Sequence, residues 1–236
     1  MKRSMITIPF VREWNIRTPV VVRYLEKTWV DDFFSTGSIR LSCFSDFARH
    51  EDEQRKDQRE GFFASRATDG KNFFTSMFYY GANAYVLSSS TVHSKAHMGM
   101  FSAAYNSGIM IKETAAFAHC VSRRLASFVR GYEGNCVYSD QEQQFEFPPG
   151  VDLSDPDNFD PRLLETASFD PDGFFLKEPK YSHQSEYRFV WIVSDRVGDG
   201  IVIRCPEARQ FCEEWLPEGK PTIASLMEIS GSSPGA

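Results

Sequence analysis

The residues best suited to chemistry stand at the entrance of one apolar segment. The stretch KYSHQSEYRFVWI (180–192) ends in YRFVWI, whose aromatic and β-branched residues predict a buried strand. Because side chains two residues apart in an extended chain point to the same face, Gln184, Glu186 and Arg188 are expected to share one side. An unpaired buried charge costs about 3–5 kcal/mol, so a fold keeps a carboxylate there only with a compensating partner or for function.

Other polar side chains also interrupt apolar segments. Arg23 lies within PVVVRYL, and Thr75 and Ser76 lie within NFFTSMF. Each has a structural alternative. Arg23 and Glu186 could form a buried ion pair of nearly neutral effect on stability, Thr75 is a good strand former, and Gln184 could end an exposed edge.

The sequence does not predict a metal site or a common nucleophile motif. His93 and His97 are four residues apart, but they lack the HExxH arrangement. The aspartates of 152–172 fit a role in turns better than calcium-loop spacing. His119 and Cys120 fall in a predicted helix, where a buried structural pair is favoured over a nucleophile and its base. The sequence has no P-loop, GxGxxG or GxSxG motif.

The composition is that of a soluble protein. The 236 residues are 42% hydrophobic and 25% charged, and the 21 phenylalanines favour an aromatic-rich β core over a helical bundle. A net charge of −6 indicates no broad basic surface for nucleic acid. Five scattered cysteines predict a reducing compartment rather than a disulfide scaffold. With no secretory signal and no membrane-spanning segment predicted, we expect a cytoplasmic protein without a membrane partner.

The order of segments predicts a single α+β domain over residues 1–230, followed by a disordered tail at 231–236. The best helix is expected over 113–130, and Gly37 is expected to end a shorter helix that begins near residue 27. The charged run 45–61 is interpreted as a solvated helix, and the region 148–179, rich in Asp and Pro, as loops around a short helix. Further segments predict strands: 18–26, 38–44, 62–66, 72–80, 83–91, 136–140, 187–192 and 198–205.

Taken together, the polar positions resemble the ADP-ribosyltransferase superfamily. One class of that superfamily carries Arg on its first strand, a Ser-Thr-Ser run after an aromatic residue on a middle strand, and Gln/Glu-x-Glu at the entrance of a later strand. Here Arg23 precedes a helix, Gly37 and the segment SIRLS, and QSE at 184–186 matches the last motif. FFTSM matches the middle motif in part, since Met77 stands where the pattern has a second serine.

A second resemblance spans more of the chain. The runs FARHEDEQRKDQREG (47–61) and QSEYRF (184–189) are similar to those of an uncharacterised bacterial domain family, some members of which are found near toxin or phage-defence loci. That likeness implies a bacterial effector and a regulator such as an antitoxin, but it does not specify a reaction.

The transferase resemblance implies a split, mainly antiparallel β core flanked by helices, with NAD as substrate. Glu186 would stabilise the oxocarbenium-like ribose, and Gln184 would orient the acceptor. Arg23 would hold the NAD diphosphate. A hydroxyl of the middle strand would fix the carboxylate, and a tyrosine would stack on nicotinamide; the candidates for these two roles are Thr75, Ser76, Tyr24, Tyr79 and Tyr80.

The function implied is NAD-dependent transfer of ADP-ribose to a protein or nucleic-acid acceptor with release of nicotinamide. The alternative is a non-catalytic module on the same scaffold that binds a nucleotide or a partner. A nuclease-type toxin is disfavoured, because the sequence has no convincing metal cluster or catalytic histidine pairing.

Overall fold

The computed structural model describes residues 19–49, 61–68, 71–139, 142–146 and 171–217. This part of the chain forms one domain of mainly antiparallel strands with several helices, which confirms the α+β prediction. The strands are Val21–Leu25 (β1), Ser38–Cys43 (β2), Phe62–Thr68 (β3), Phe73–Tyr79 (β4), Ala84–Ser90 (β5), Ser107–Ile111 (β6), Phe128–Asn135 (β7), Val137–Tyr138 (β8), Glu142–Glu146 (β9), Leu176–Lys177 (β10), Glu186–Val193 (β11), Ile201–Arg204 (β12) and Cys212–Trp215 (β13). The α-helices are Lys27–Thr36 (α1), Phe44–Arg49 (α2), Lys95–Phe101 (α3) and Thr114–Ser122 (α4), and the 3₁₀ helices are Pro171–Phe174, Pro179–Gln184 and Pro206–Phe211.

Strand β5 is the centre of the main sheet. Along one edge it pairs antiparallel with residues 186–192 of β11, and β7 lies beyond β11. Along its other edge it pairs with β2 near Val86 and with β1 at Ser90. The sheet therefore forks at β5, with β12 beyond β2 in one branch and β6 and β13 beyond β1 in the other.

The two faces of the main sheet bury different sets of side chains. One face carries Tyr187, Phe189 and Trp191 into the largest core cluster, together with residues of α1 and α4. The opposite face carries Val190 into a cluster of phenylalanines. Since β11 is buried on both faces along nearly its whole length, the predicted buried strand is confirmed.

Strands β3, β4 and β9 form a separate three-stranded sheet. The sequence correctly indicates strands at β3 and β4, but β4 is not the middle strand of the main sheet that the resemblance required. One side of β4 is exposed, with Phe73, Thr75, Met77 and Tyr79 all open to solvent. The alternation of exposed side chains follows directly from the two-residue repeat of a strand.

Helix α1 ends where the sequence predicts. Gly37 adopts a left-handed conformation with φ of 77°, and its amide donates to the carbonyl of Phe33 at 2.8 Å. Any side chain at this position would overlap the backbone of Cys205 and Pro206. A glycine is therefore required both by the turn and by the close approach of a distant segment.

The predicted helix 113–130 is too long. Helix α4 ends at Ser122, and the chain re-enters the sheet as β7 at Phe128, which pairs with Val193 of β11. Phe117 and Val121 of the predicted apolar stripe are buried, whereas Phe128 and Val129 are exposed in the strand. Pairing with β11 satisfies the backbone of this segment in a way that local helical periodicity could not reveal.

Several expectations concern residues outside the described ranges. Most of the charged run 45–61, the greater part of the loop region 148–179 and the tail at 231–236 lie there. All five cysteines are described, and none forms a disulfide bond with another. Within the described ranges, every helix is too short or too polar to cross a lipid bilayer.

Candidate functional site

Glu186 opens β11 with its carboxylate almost fully enclosed, because only 6% of its side chain is exposed. Its Oε1 accepts hydrogen bonds from Ser88 Oγ at 2.5 Å and Arg188 Nε at 2.7 Å. Its Oε2 accepts from Lys177 Nζ at 2.6 Å and from Arg188 Nη2 at 3.3 Å. These four donors match the roughly four acceptor positions of a carboxylate.

Lys177 links the Gln184 amide to the Glu186 carboxylate, the two groups that the sequence analysis identified. Its ammonium, on β10, also donates to Gln184 Oε1 at 2.7 Å, so Gln184 and Glu186 share one cation. Arg188 is fully buried and donates through Nη1 to the carbonyl of Phe174 at 2.8 Å. Two cations thus contact one carboxylate.

The protonation states in this cluster follow from the competition between burial and pairing. Burial by itself would raise the pKa of Glu186, but the charges and hydrogen bonds of Arg188 and Lys177 outweigh it and hold that pKa well below its ordinary value. Tyr138, whose hydroxyl oxygen accepts from the amide of Glu186 at 2.7 Å, has its pKa raised to about 12 by burial. Glu186 is therefore ionised and Tyr138 neutral at physiological pH.

A strained turn presents Gln184 and Glu186 together. Ser185 between them has φ of 46°, in the left-handed region that a residue with a side chain seldom adopts. The carbonyl of Gln184 accepts from Ser90 Oγ at 3.1 Å and lies 3.1 Å from His97 Nε2, while Thr91 N donates to the carbonyl of Ser185 at 3.0 Å. These contacts fix the turn against the end of β5.

The structure does not bring Arg23 to this site. Val22 and Glu186 both lie opposite Ser90 in the sheet, so these three residues share a face. Arg23 is next along β1 and points to the other face, opposite Ile109 of the largest core cluster. The predicted cleft between Arg23 and Glu186 is therefore wrong, and Arg188 and Lys177 are the cations beside the carboxylate.

Tyr24 lies on the same face of the sheet as Glu186 but is packed rather than open. Its ring centroid lies 5.9 Å from His97, 5.8 Å from Phe101 and 5.1 Å from Trp215. Its hydroxyl donates to the carbonyl of Val92. With its ring surrounded in this way, Tyr24 has no free face for a nicotinamide ring.

Of the remaining predicted residues, Thr75, Ser76 and Tyr79 lie on β4, in the three-stranded sheet, whereas Tyr80 follows β4 and packs its ring 5.4 Å from that of Phe174. Thr75 is exposed, Tyr79 is 74% exposed with its ring against Phe62, and Ser76 pairs through its backbone with Ser65. The hydroxyl on Glu186 comes from β5 instead. The expectation that Thr75 or Ser76 fixes the carboxylate is therefore corrected to Ser88.

The sequence contains a pattern that could have indicated a serine of β5 beside Glu186. The predicted strand NAYVLSSST ends in three consecutive serines, Ser88, Ser89 and Ser90, and the first and third point to the side of Glu186. Lys177 carries no comparable signal, because FFLKEPK gives no indication that its lysine is buried. Only tertiary packing identifies Lys177 and Tyr138 as members of the cluster.

The cluster can stabilise positive charge or bind an anion. An ionised carboxylate held by fixed donors suits a developing cation, and the two surrounding cations suit a phosphate or diphosphate. Among the residues that the structure describes, no three His, Cys, Asp or Glu side chains are grouped as metal ligands.

Comparison of the chain with protein-family models, with curated proteins and with solved structures finds no match.

Proposed function

We propose that this protein is an NAD-dependent ADP-ribosyltransferase in which Glu186 is the catalytic carboxylate. The observation that carries the proposal is the arrangement of three groups: ionised Glu186, the Ser88 hydroxyl on the adjacent strand, and the Gln184 amide linked to Glu186 through Lys177. This arrangement supports the Ser and Gln-x-Glu parts of the sequence resemblance, with Ser88 replacing Thr75 and Ser76.

In the proposed reaction the bond between nicotinamide and ribose breaks, and its electron pair leaves with nicotinamide. The ribose passes through an oxocarbenium-like state that the Glu186 carboxylate stabilises. An acceptor nucleophile, oriented by Gln184, then forms a new bond to the ribose carbon and loses its proton. Nicotinamide and an ADP-ribosylated acceptor are the products.

Substrate binding must free an acceptor position on Glu186. Lys177 comes from the two-residue strand β10 and supplies one of the four donors, and in the proposed complex it is the partner that moves away from Glu186. The NAD diphosphate offers Lys177 a second anion and would draw its ammonium from Oε2. The diphosphate contact is thus assigned to Lys177 instead of Arg23, which lies on the opposite face.

Nicotinamide release from NAD tests this proposal. The Glu186→Gln variant keeps the side-chain size but removes the charge, and we expect its activity per folded molecule to fall at least about a hundredfold, because transition-state charge stabilisation is lost. Glu213→Gln is the matched control, since Glu213 is exposed and pairs only with Lys112 among the described residues. No release by the wild-type protein, with or without cell extract, would overturn the proposal, as would full activity in Glu186→Gln.

A second candidate is a non-catalytic module that binds a nucleotide or a partner. It is favoured by the complete occupation of the Glu186 carboxylate by Ser88, Arg188 and Lys177. Calorimetric titration with NAD separates the two candidates. The module binds NAD and leaves it intact over hours, whereas the transferase releases nicotinamide.

The acceptor is a protein or a nucleic acid, and the biological context proposed is a bacterial toxin or phage-defence effector controlled by an antitoxin or other regulator. Labelled NAD incubated with cell extract, followed by separate protease and nuclease digestion, identifies the acceptor class. Label that persists after nuclease and disappears after protease indicates a protein acceptor.

A further inference from the structure

A hollow of about 260 Å³ lies between helix α4 and strands β7 and β11. Small residues create it. Ala115, Ala118 and Ser122 line its helical wall at the three- and four-residue spacing of one helix face, and Gly131 leaves space on β7. This volume is close to the lower end of the range for small-molecule sites.

The hollow lies on the opposite face of the main sheet from Glu186. Glu133, which lines it, pairs in register with Phe189, and Phe189 belongs to the core cluster beneath α4. Glu186 lies on the other face. A ligand in this hollow would therefore bind independently of the proposed transferase activity.

Glu133 is the residue that points to a ligand. Its Oε1 accepts from Thr114 Oγ1 at 3.2 Å, whereas its Oε2 is buried and has no hydrogen-bond partner in the described part of the chain. Burial raises the pKa of Glu133, and the Thr114 hydrogen bond opposes this shift. A half-satisfied carboxylate costs free energy that a donor from a ligand would recover.

The rest of the lining suits a flat, positively charged group. Trp191 lies against α4, with its Nε1 donating to the carbonyl of Ala118 at 3.0 Å, and Phe128 is a partly exposed aromatic side chain of the lining. Aromatic faces attract cations. The other titratable residues of the lining are Tyr132 and His119, and His119 is exposed to solvent.

We propose that this hollow binds a small planar cation of the amidinium or guanidinium class, with Glu133 as its anionic partner. A carboxylate accepts two parallel N–H donors from such a group, which gives this class an advantage over a compact ammonium ion. The ring or stem of the ligand lies along the alanines of α4.

Benzamidine and benzamide are the probes, because they have nearly the same shape but only benzamidine is an amidinium cation. Calorimetric or NMR titration of the whole chain at neutral pH is expected to show saturable binding of benzamidine, at least about tenfold tighter than benzamide. Glu133→Gln is expected to weaken benzamidine at least about tenfold, with little change for benzamide. Glu26→Gln is the charge control, since exposed Glu26 at the start of α1 does not line the hollow.

A second pair of variants tests the location. Ala115→Leu places a larger side chain at the partly open helical wall and is expected to abolish binding of benzamidine, while Ala103→Leu, at an exposed turn outside the lining, keeps it. The proposal is overturned by equal affinity for the two probes, by wild-type affinity in Glu133→Gln or Ala115→Leu, or by no saturable binding at millimolar probe. Thermal unfolding of each variant confirms that it is folded.

Discussion

Glu186 shows how a buried charge is tolerated in this protein. Its carboxylate lies among core residues, yet Arg188 and Lys177 neutralise it and Ser88 supplies a further donor. Removing one partner of such a group costs about 3–5 kcal/mol, because the remaining charges stay buried. The same residue is therefore important for stability and, under the proposed function, for catalysis, so activity must be measured per folded molecule.

Two neighbouring serines of β5, Ser88 and Ser89, allow the hydrogen bond to Glu186 to be tested against a matched control. Ser88→Ala removes the hydrogen bond to Glu186 Oε1 and is expected to lower the free energy of unfolding by about 1–3 kcal/mol. Ser89→Ala removes a buried hydroxyl that has no hydrogen-bond partner among the described residues, so we expect it to be neutral or stabilising. Urea unfolding of both variants checks this difference, and equal losses would show that Ser88 has no special role.

At the scale of elements, one close approach joins distant segments of the chain. The turn after α1 presses against the segment before the 3₁₀ helix Pro206–Phe211, and the amide of Cys205 donates to the carbonyl of Gly37 at 2.8 Å. This contact ties the start of β2 to the end of β12, its partner in the sheet. Helix α1 and the 3₁₀ helix Pro206–Phe211 are thereby held on the same side of the core.

Alanine substitution at Gly37 tests this contact, and alanine substitution at Gly99 is the control; we expect opposite effects on stability. Gly37→Ala is expected to destabilise the protein by more than about 2 kcal/mol, since the position has φ of 77° and a methyl group would overlap the backbone of Pro206. Gly99→Ala lies within helix α3, where an added methyl group meets nothing within 4 Å, and is expected to stabilise by about 0.5–1 kcal/mol. Thermal unfolding measures both, and similar changes in the two variants would contradict the argument.

For the molecule as a whole, stability is expected to fall as the pH drops below neutral. Burial lowers the pKa of His97 from its ordinary value of 6.5, so below 6.5 the unfolded chain binds this proton first and unfolding is favoured. The pKa of Glu186 is also lowered, from 4.5, so its contribution is full above 4.5 and is lost as the pH falls through the folded value. Glu133, whose pKa is raised by burial, acts in the opposite direction.

Thermal unfolding measured from neutral to acidic pH tests these signs. The His97→Gln variant is expected to lose less stability than the wild type on acidification near pH 6.5, and Glu186→Gln to lose less below pH 4.5. If both variants lose stability with falling pH as steeply as the wild type, other groups control the acid sensitivity.

The sequence by itself determined the features that depend on neighbouring residues. The aromatic and β-branched composition of YRFVWI predicts β11, and the apolar runs predict β3, β4 and β5. The single glycine after an apolar helical pattern predicts the end of α1 at Gly37. The same local patterns predicted that Glu186 and Arg188 share a face, and they do, as an ion pair.

Only the tertiary structure decided which strand lies beside β11 and which face each polar residue occupies. Strands β4 and β5 are both apolar segments with hydroxyl residues, and pairing across about a hundred positions of chain, which local propensity does not encode, places Ser88 rather than Thr75 at Glu186. Because side chains along a strand alternate between the two faces of the sheet, a shift of one residue in the pairing moves each side chain to the opposite face. This is why Val22, and not Arg23, lies on the side of Glu186. Lys177, only nine residues before Glu186, completes the cluster because the 3₁₀ helix between β10 and β11 returns the chain to the same place.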